Sequence, residues 1–215
     1  MDLNIAEELL LLAHTESDGR RLIDVTRLDL ALGGALLAEL AVRGRVELAG
    51  KQVAVLDRSP LGDEELDAAL TMIAERGRAQ KPEWWVNKLK SAKLRERLLG
   101  RLAAQGVLGE EHVKVLGLFP AVRYPERDGG YEREVRQRVQ SALDGSDPDA
   151  RISVLIAIMH ACSLDRKAFP GADKKRVKEI SQGEWAGQAV AKIISAVNAA
   201  VIAAMAGAAV AGASG

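Results

Sequence analysis

Basic side chains are concentrated in one stretch of the chain, between residues 81 and 101. Seven residues of this stretch are lysine or arginine, and two are acidic. Ammonium and guanidinium groups donate charge-assisted hydrogen bonds to phosphate and carboxylate oxygens, so the stretch could bind an anion. The candidate anion-binding residues are Lys88, Lys93, Arg95 and Arg97.

An apolar segment follows the basic stretch closely along the chain. Its large side chains are Leu116, Leu118 and Phe119, and Gly117 and Pro120 favour a bend there. A cationic surface next to an apolar wedge is typical of proteins that lie on an anionic membrane. The three large residues are therefore candidates for contact with a membrane or with a second copy of the chain.

The pattern around these residues predicts the elements that carry them. Leu94, Leu98 and Leu102 recur at every fourth position, which places them on one face of a helix. We predict one helix from residue 84 that ends near Gly106, because glycine tolerates the left-handed conformation of a C-cap. The β-prone residues 113–122 then predict a hairpin with an apolar tip.

The rest of the chain predicts a mainly α-helical fold. Further helices are predicted over residues 3–14, 28–43, 64–76, 131–143, 148–162 and 174–180, with a last one from about residue 184. Their N-caps are assigned to Asp63, Asp147 and Asp173. Adjacent glycines at positions 33 and 34 indicate close approach of another element. A second hairpin is predicted over residues 45–56.

We expect these elements to form a single compact helical domain around a buried helix bundle, with one or two β-hairpins, one of them projecting and apolar. This domain would cover residues 1–205. A flexible tail rich in Gly, Ala and Ser would cover residues 206–215. Residues 193–215 carry no charge and are numerous enough to span a bilayer, but their Ala and Gly content favours a buried helix that frays.

Composition narrows the range of functions. The 215 residues are 48% apolar, 28% charged and 3% aromatic, and the formal net charge is zero. This is a globular composition in which any basic patch is local, with acidic surface elsewhere. The helix, turn and first hairpin look like a winged-helix fragment, but the neutral charge argues against a nucleic-acid partner. The N-terminus has no secretory signal, so we expect a cytoplasmic protein.

Motifs for catalysis and cofactor binding are missing from the sequence. It contains no Gly-rich phosphate loop, GxSxG elbow or HExxH pair, and its single cysteine excludes an intrachain disulfide. His160 and Cys162 lie two positions apart on a predicted helix, so they point in different directions and are expected in the core. The acidic cluster at residues 63–67 is expected to be an exposed helix start. We predict no enzyme activity, no cofactor and no metal site.

Several segments in order resemble one known family. They read EELLLLAHTESDG, LLAELAVRGRVEL, LRERLLGRLAAQGVL, AIMHA and KKRVKEI. Together they resemble the Golgi phosphoprotein 3 (vacuolar protein sorting 74) family, and its bacterial members in particular. The resemblance covers nearly the whole chain. It implies a mainly helical fold around a buried bundle with a projecting hydrophobic hairpin, which family members use for membrane contact or dimer formation.

The resemblance also implies partners. Eukaryotic members are peripheral Golgi proteins that bind phosphatidylinositol 4-phosphate and the cytoplasmic tails of glycosyltransferases. Their lipid pocket uses a Trp and an Arg around the second helix and two Arg on the basic helix. Of these four positions only Arg95 is kept; the others fall on Asp24, Gly33 and Ala92. A phosphate monoester needs several converging donors, so this departure weakens the expected specificity for that lipid.

Two hypotheses follow for function. In the first, the chain is a non-catalytic peripheral protein at the cytoplasmic face of a membrane, where the basic helix and apolar hairpin bind anionic phospholipid head groups. In the second, it is a soluble protein–protein adaptor, in which the hairpin mediates homo-oligomerisation or grips the peptide tail of a membrane protein.

Overall fold

The computed structural model describes residues 3–15, 18–115, 119–127, 129–183 and 188–213. Over these residues the chain forms ten helices and two antiparallel two-stranded sheets. In chain order they are α1 Ile5–Leu12, α2 Val25–Val42, β1 Val46–Ala49, β2 Gln52–Val55, α3 Glu64–Glu75, α4 Pro82–Leu89, α5 Ala92–Ala104, β3 Glu111–Val115, β4 Phe119–Arg123, α6 Gly129–Leu143, α7 Ala150–Ala161, α8 Asp165–Ala168, α9 Lys174–Gln182 and α10 Gln188–Ala213. The prediction of a mainly α-helical fold with two hairpins is confirmed.

Helix α2 is the centre of the core. It packs against α1, α4, α7 and α10, and every residue from Leu30 to Leu40 is buried. The predicted close approach at the paired glycines is confirmed. A Cβ atom on Gly33 would lie 2.7 Å from the Val86 carbonyl oxygen, and one on Gly34 would lie 2.5 Å from Val201 Cγ2. Glycine at these positions therefore lets α4 and α10 pack directly on α2.

Side-chain caps fix where most helices begin. Asn4 and Glu7 form a capping box at α1, and Asp63 accepts the Leu66 N–H at the predicted start of α3. The predicted cap at Asp147 is wrong by two residues. Asp149 is the cap, since its side chain accepts the Ile152 N–H at 2.8 Å and α7 begins one residue later.

The single helix predicted from residue 84 to Gly106 is two helices. Lys90 adopts an extended conformation with ψ of 132°, which ends α4. Ser91 then caps α5 by accepting the Leu94 N–H at 2.9 Å. The serine hydroxyl satisfies a backbone donor that would otherwise be unpaired, so a new helix starts in the middle of a continuous helical pattern.

Buried ion pairs connect the helices around α1. Its carboxylates Glu7 and Glu8 are almost completely buried, as is Glu39 of α2. Their partners are arginines of α5, α6 and α7: Arg101 with Glu7 at 2.7 Å, Arg138 with Glu8 at 2.8 Å and Arg151 with Glu39 at 2.5 Å. These pairs join segments that are far apart in sequence, and removing one partner would leave an uncompensated buried charge.

The last helix, α10, packs against α2, α4, α7 and α9. It runs to Ala213 and thus includes most of residues 206–215, the segment predicted to be a flexible tail. Over the part of the chain that the structure covers, no helix has the length and the hydropathy that crossing a bilayer requires.

Candidate functional site

The basic helix α5 lies on the core through its leucines. Leu94, Leu98 and Leu102 are buried, as the spacing predicted. An α-helix turns by about 100° per residue, so Arg95 and Arg97 flank this leucine stripe on opposite edges. The two arginines therefore point in different directions and meet different neighbouring helices.

Arg95 faces α2. Its guanidinium donates to the carboxylate of Asp29, and both side chains are mostly buried, with 13% and 16% of their surfaces exposed. The pair connects α5 to α2. A partly buried guanidinium in such a pair is already neutralised, so Arg95 offers little free charge to an external anion.

Arg97 faces α3 on the other edge of α5. It donates to both carboxylate oxygens of Glu65, at 2.5 and 2.8 Å, while 54% of its side chain stays exposed. These hydrogen bonds raise the pKa of Arg97. One turn further on, Arg101 contacts Glu7 at 2.7 Å and Asp63 at 3.2 Å. The three arginines of α5 thus have a structural role in addition to their charge.

The lysines differ from the arginines. Lys88 in the last turn of α4 and Lys93 in the first turn of α5 are exposed. Within the residues described, neither ammonium group has a carboxylate within 4 Å. Lys93 lies one helical turn before Arg97, so these two share a surface. Of the four candidate residues, the structure brings Lys93 and Arg97 together and separates Arg95 from both.

The β3–β4 hairpin follows α5 directly. The N–H groups of Val107 and Leu108 bond to the Leu102 carbonyl, which turns the chain from the helix toward β3. The strands pair from Glu111 with Arg123 to Val115 with Phe119, so the predicted hairpin is confirmed.

The tip of this hairpin was the predicted contact site for a membrane or a second copy. Leu116 and Leu118 lie outside the described residues. Phe119 begins β4, and its side chain is also outside the description. Lower on the same strand, Val122 is 43% exposed.

The base of the hairpin is held against the rest of the molecule. Gly19, with φ of 61°, lies so close to the Tyr124 backbone that an added Cβ atom would be 2.4 Å away. The Tyr124 ring packs edge-on to His14 at 6.3 Å between ring centroids. The hairpin therefore leaves the bundle from a fixed base.

The acidic cluster at the start of α3 has structural partners. Asp63 caps the helix, and Asp67 accepts the N–H groups of Leu61 and Gly62. Glu65 is the partner of Arg97. Among the described residues, no group of three or more histidine, cysteine or acidic side chains could hold a metal ion.

The chain is similar in sequence to one known protein family. The sequence model of the family described as Golgi phosphoprotein 3 (GPP34) matches residues 5–197. This chain belongs to the Golgi phosphoprotein 3 family. A curated relative, the vacuolar protein sorting-associated protein 74 of Eremothecium gossypii, is 29% identical over 164 residues, which cover 66% of this chain and 49% of the relative. The chain thus spans about half the length of that relative.

The positions that the resemblance to the Golgi phosphoprotein 3 family singled out have different surroundings here. Asp24 caps α2, where it accepts the Arg27 N–H, and its side chain is 58% exposed. Gly33 is buried beneath α4. Ala92, at the start of α5, has no polar side chain. Asp29, which neutralises Arg95, was missed, because no local pattern connects residues 66 positions apart.

A second polar site was also missed in this family member. The prediction that His160 lies in the core is wrong, since 31% of its side chain is exposed and its Nδ1 lies 2.9 Å from Asp165 Oδ2. Cys162 is fully buried as predicted, and burial raises the pKa of its thiol to about 12. A thiol with this pKa is a poor nucleophile at neutral pH. The sequence signal that could have revealed this pair is Asp165, which lies five residues after His160 and just beyond the end of α7.

Proposed function

We propose that this chain is a non-catalytic peripheral membrane protein that binds anionic phospholipid at the cytoplasmic face of a membrane. Its contacts would be the exposed cations of α4 and α5 and the apolar tip of the β3–β4 hairpin. Phosphatidylinositol 4-phosphate is the lipid suggested by membership of the Golgi phosphoprotein 3 family. Because the family's pocket positions are poorly kept, we infer general attraction to anionic lipid rather than a fitted head-group pocket.

The observation that carries the proposal is the exposure of Lys88 and Lys93, with no acidic partner in the described residues, on the elements that lead into the hairpin. A basic residue near an anionic surface contributes about 1 kcal/mol of attraction. Each large apolar side chain that inserts fully would add roughly 1.5–3 kcal/mol. Arg97 would contribute through its exposed half, and Arg95 least, since Asp29 neutralises it.

Vesicle sedimentation tests the electrostatic half of the proposal. Binding should require anionic lipid and should fall with added salt, because salt screens exposed charges. The variant Lys88→Glu/Lys93→Glu should lose at least about tenfold in affinity, since two surface charges are reversed and the net charge falls by about four units. Lys175→Glu/Lys178→Glu makes the same charge change on α9 and is the matched control. Equal losses in the two variants would contradict a specific role for α4 and α5.

The double variant Leu118→Asp/Phe119→Asp tests the hairpin. It should abolish vesicle binding while the protein stays monodisperse, because charged side chains resist insertion into the bilayer. Far-ultraviolet circular dichroism checks that the bundle is intact. Unchanged vesicle binding by this variant would remove the hairpin from the proposal.

A soluble adaptor is the second candidate, and the exposed Val122 on the hairpin favours it. The relative's name, which refers to vacuolar protein sorting, suggests a peptide from a membrane protein as client. If the chain is a soluble adaptor, Leu118→Asp/Phe119→Asp should change the molecular mass measured by light scattering. Neither the wild type nor this variant should then bind vesicles. A monomeric wild-type protein that binds vesicles would exclude self-association through the hairpin.

A further inference from the structure

A small cavity lies between α7, α8 and α9, and none of its lining residues belongs to α4, α5 or the β3–β4 hairpin. Its volume is about 220 Å³. The polar part of its wall comes from His160, Asp165, Arg166 and Lys174, and an apolar part from Phe169 and Val177. The cavity therefore combines an imidazole, a carboxylate and two cations in a space that suits a small polar ligand.

The turn after α7 creates this arrangement. Ser163 has a left-handed φ of 62°, and the Leu164 N–H bonds back to the Met159 carbonyl at 2.8 Å. This hydrogen bond is that of a Schellman C-cap, which reverses the chain at the helix end. The reversal brings Asp165 back beside His160, so a histidine and an aspartate five residues apart become a hydrogen-bonded pair.

The pair fixes the imidazole. An ionised carboxylate only accepts hydrogen bonds, so His160 Nδ1 carries the proton that it donates to Asp165 Oδ2 over 2.9 Å. Nε2 then stays available to a ligand. Asp165 is 8% exposed, and its second oxygen, Oδ1, is buried with no hydrogen-bond partner in the described protein. Because Oδ1 has almost no accessible surface, the pair can meet a ligand only through the imidazole, which lines the cavity.

Two cations complete the wall. Arg166 and Lys174 are exposed, and across the described ranges no carboxylate lies within 4 Å of either charged group. The segment between them is braced by Arg136, which donates to the Ala168 carbonyl at 3.0 Å and stacks over the Phe169 ring at 5.4 Å. The cations are therefore carried on a supported segment beside the imidazole.

We propose that this cavity binds a phosphate monoester. The phosphate oxygens accept hydrogen bonds from Arg166 and Lys174, and from Nε2 when the imidazole is doubly protonated. A free metabolite or a lipid head group could present this chemistry.

Nuclear magnetic resonance of the His160 ring tests the proposal on the full chain. The variant His160→Gln identifies the His160 signal among those of the three histidines. Titration with glycerol 3-phosphate should shift this signal saturably, with a dissociation constant of about 1 mM or tighter. Sodium chloride at equal ionic strength should give no saturable shift. Absence of saturation by glycerol 3-phosphate would overturn the proposal.

Matched variants separate the site from general surface charge. Arg166→Gln/Lys174→Gln should weaken glycerol 3-phosphate binding by about tenfold or more. Lys175→Gln/Lys178→Gln removes the same charge from α9 outside the cavity and should change it less than about twofold. Equal weakening of glycerol 3-phosphate binding by the two variants would show that only general surface charge is involved, and it would overturn the proposed site. Thermal unfolding establishes that each variant is folded.

The remaining arm tests the source of the ligand. For the lipid source, vesicles of phosphatidylcholine with phosphatidic acid replace glycerol 3-phosphate. Vesicle binding that depends on Arg166 and Lys174 supports a lipid ligand, whereas binding of glycerol 3-phosphate alone supports a soluble one.

Discussion

Individual charged residues in this protein are of two kinds: some form ion pairs that connect helices, and others are exposed and available to a partner. Arg95 and Arg97 have acidic partners on α2 and α3, whereas Lys88 and Lys93 are exposed without one in the described residues. The sequence gives the residue types and their helical spacing, so the basic stripe could be predicted. The partners could not, because the acids that neutralise arginines lie on elements distant in sequence.

The pH dependence of stability follows from Glu8. Burial raises its pKa above the ordinary value of 4.5, although Arg151 and Arg138 act in the opposite direction. The folded state therefore keeps this proton to higher pH than the unfolded chain. As the pH rises above about 4.5, the contribution of Glu8 to stability falls, by at most about 1.4 kcal/mol per pH unit, until the raised pKa is passed.

The variant Glu8→Gln isolates this effect, since glutamine does not titrate. The free energy of unfolding of the wild type minus that of the variant should decrease from pH 4.5 toward neutrality, as measured by urea unfolding. Burial also raises the pKa of Glu7, but Glu7 is present in both proteins, so its effect largely cancels. The control variant is Glu134→Gln, because the Glu134 side chain is 70% exposed. The free energy of unfolding of the wild type minus that of this control should vary less with pH. A difference that increases with pH would contradict the prediction.

At the scale of elements, helix packing on α2 depends on glycine. Gly33→Ala would place a Cβ atom 2.7 Å from the Val86 carbonyl oxygen and 3.0 Å from the Lys90 nitrogen, and both are backbone atoms. Backbone cannot move aside as a side chain can, so α4 must shift. We expect a loss of about 1–3 kcal/mol in the free energy of unfolding, despite the better helix propensity of alanine.

Gly100 on α5 provides the matched control. It is exposed, and a Cβ atom there would meet nothing within 4 Å. Gly100→Ala should therefore stabilise the protein by about 0.5–1 kcal/mol in the same urea experiment. If both substitutions stabilised the protein, α4 would not be packed on α2 as closely as the structure has it.

Most element types could be predicted, whereas element boundaries could not. Leucine spacing identified α5, and turn residues identified both hairpins. The division between α4 and α5 was missed because Ser91 interrupts a pattern that would continue as one helix without it. The cap of α7 was misplaced because Asp147 and Asp149 both precede the helix, and only the Asp149 side chain reaches the Ile152 N–H. Such choices depend on how the chain arrives from neighbouring elements.

For the molecule as a whole, composition and periodicity predicted the helical class, and family resemblance predicted the bundle with its hairpin. They could not show that Glu7, Glu8 and Glu39 would be buried inside that bundle. An amphipathic pattern places such residues on one face of a helix. It does not reveal that three other helices, α5, α6 and α7, cover that face. The ionic pairs therefore had to be found in the structure.

At the scale of the whole molecule, helix α10 determines where the folded part of the chain ends. Among the α10 side chains whose burial is described, the fully buried ones are Val197, Ala200, Val201 and Ala204, and Ala208 is partly buried against the core. A buried valine contributes roughly 1.5–3 kcal/mol, and a domain has about 5–15 kcal/mol in total. A protein of residues 1–195 should therefore lose cooperative thermal unfolding and bind a hydrophobic dye. One of residues 1–205 should unfold within a few degrees of the full chain. Cooperative unfolding of the shorter protein near the full-length midpoint would show that α10 is dispensable for the core.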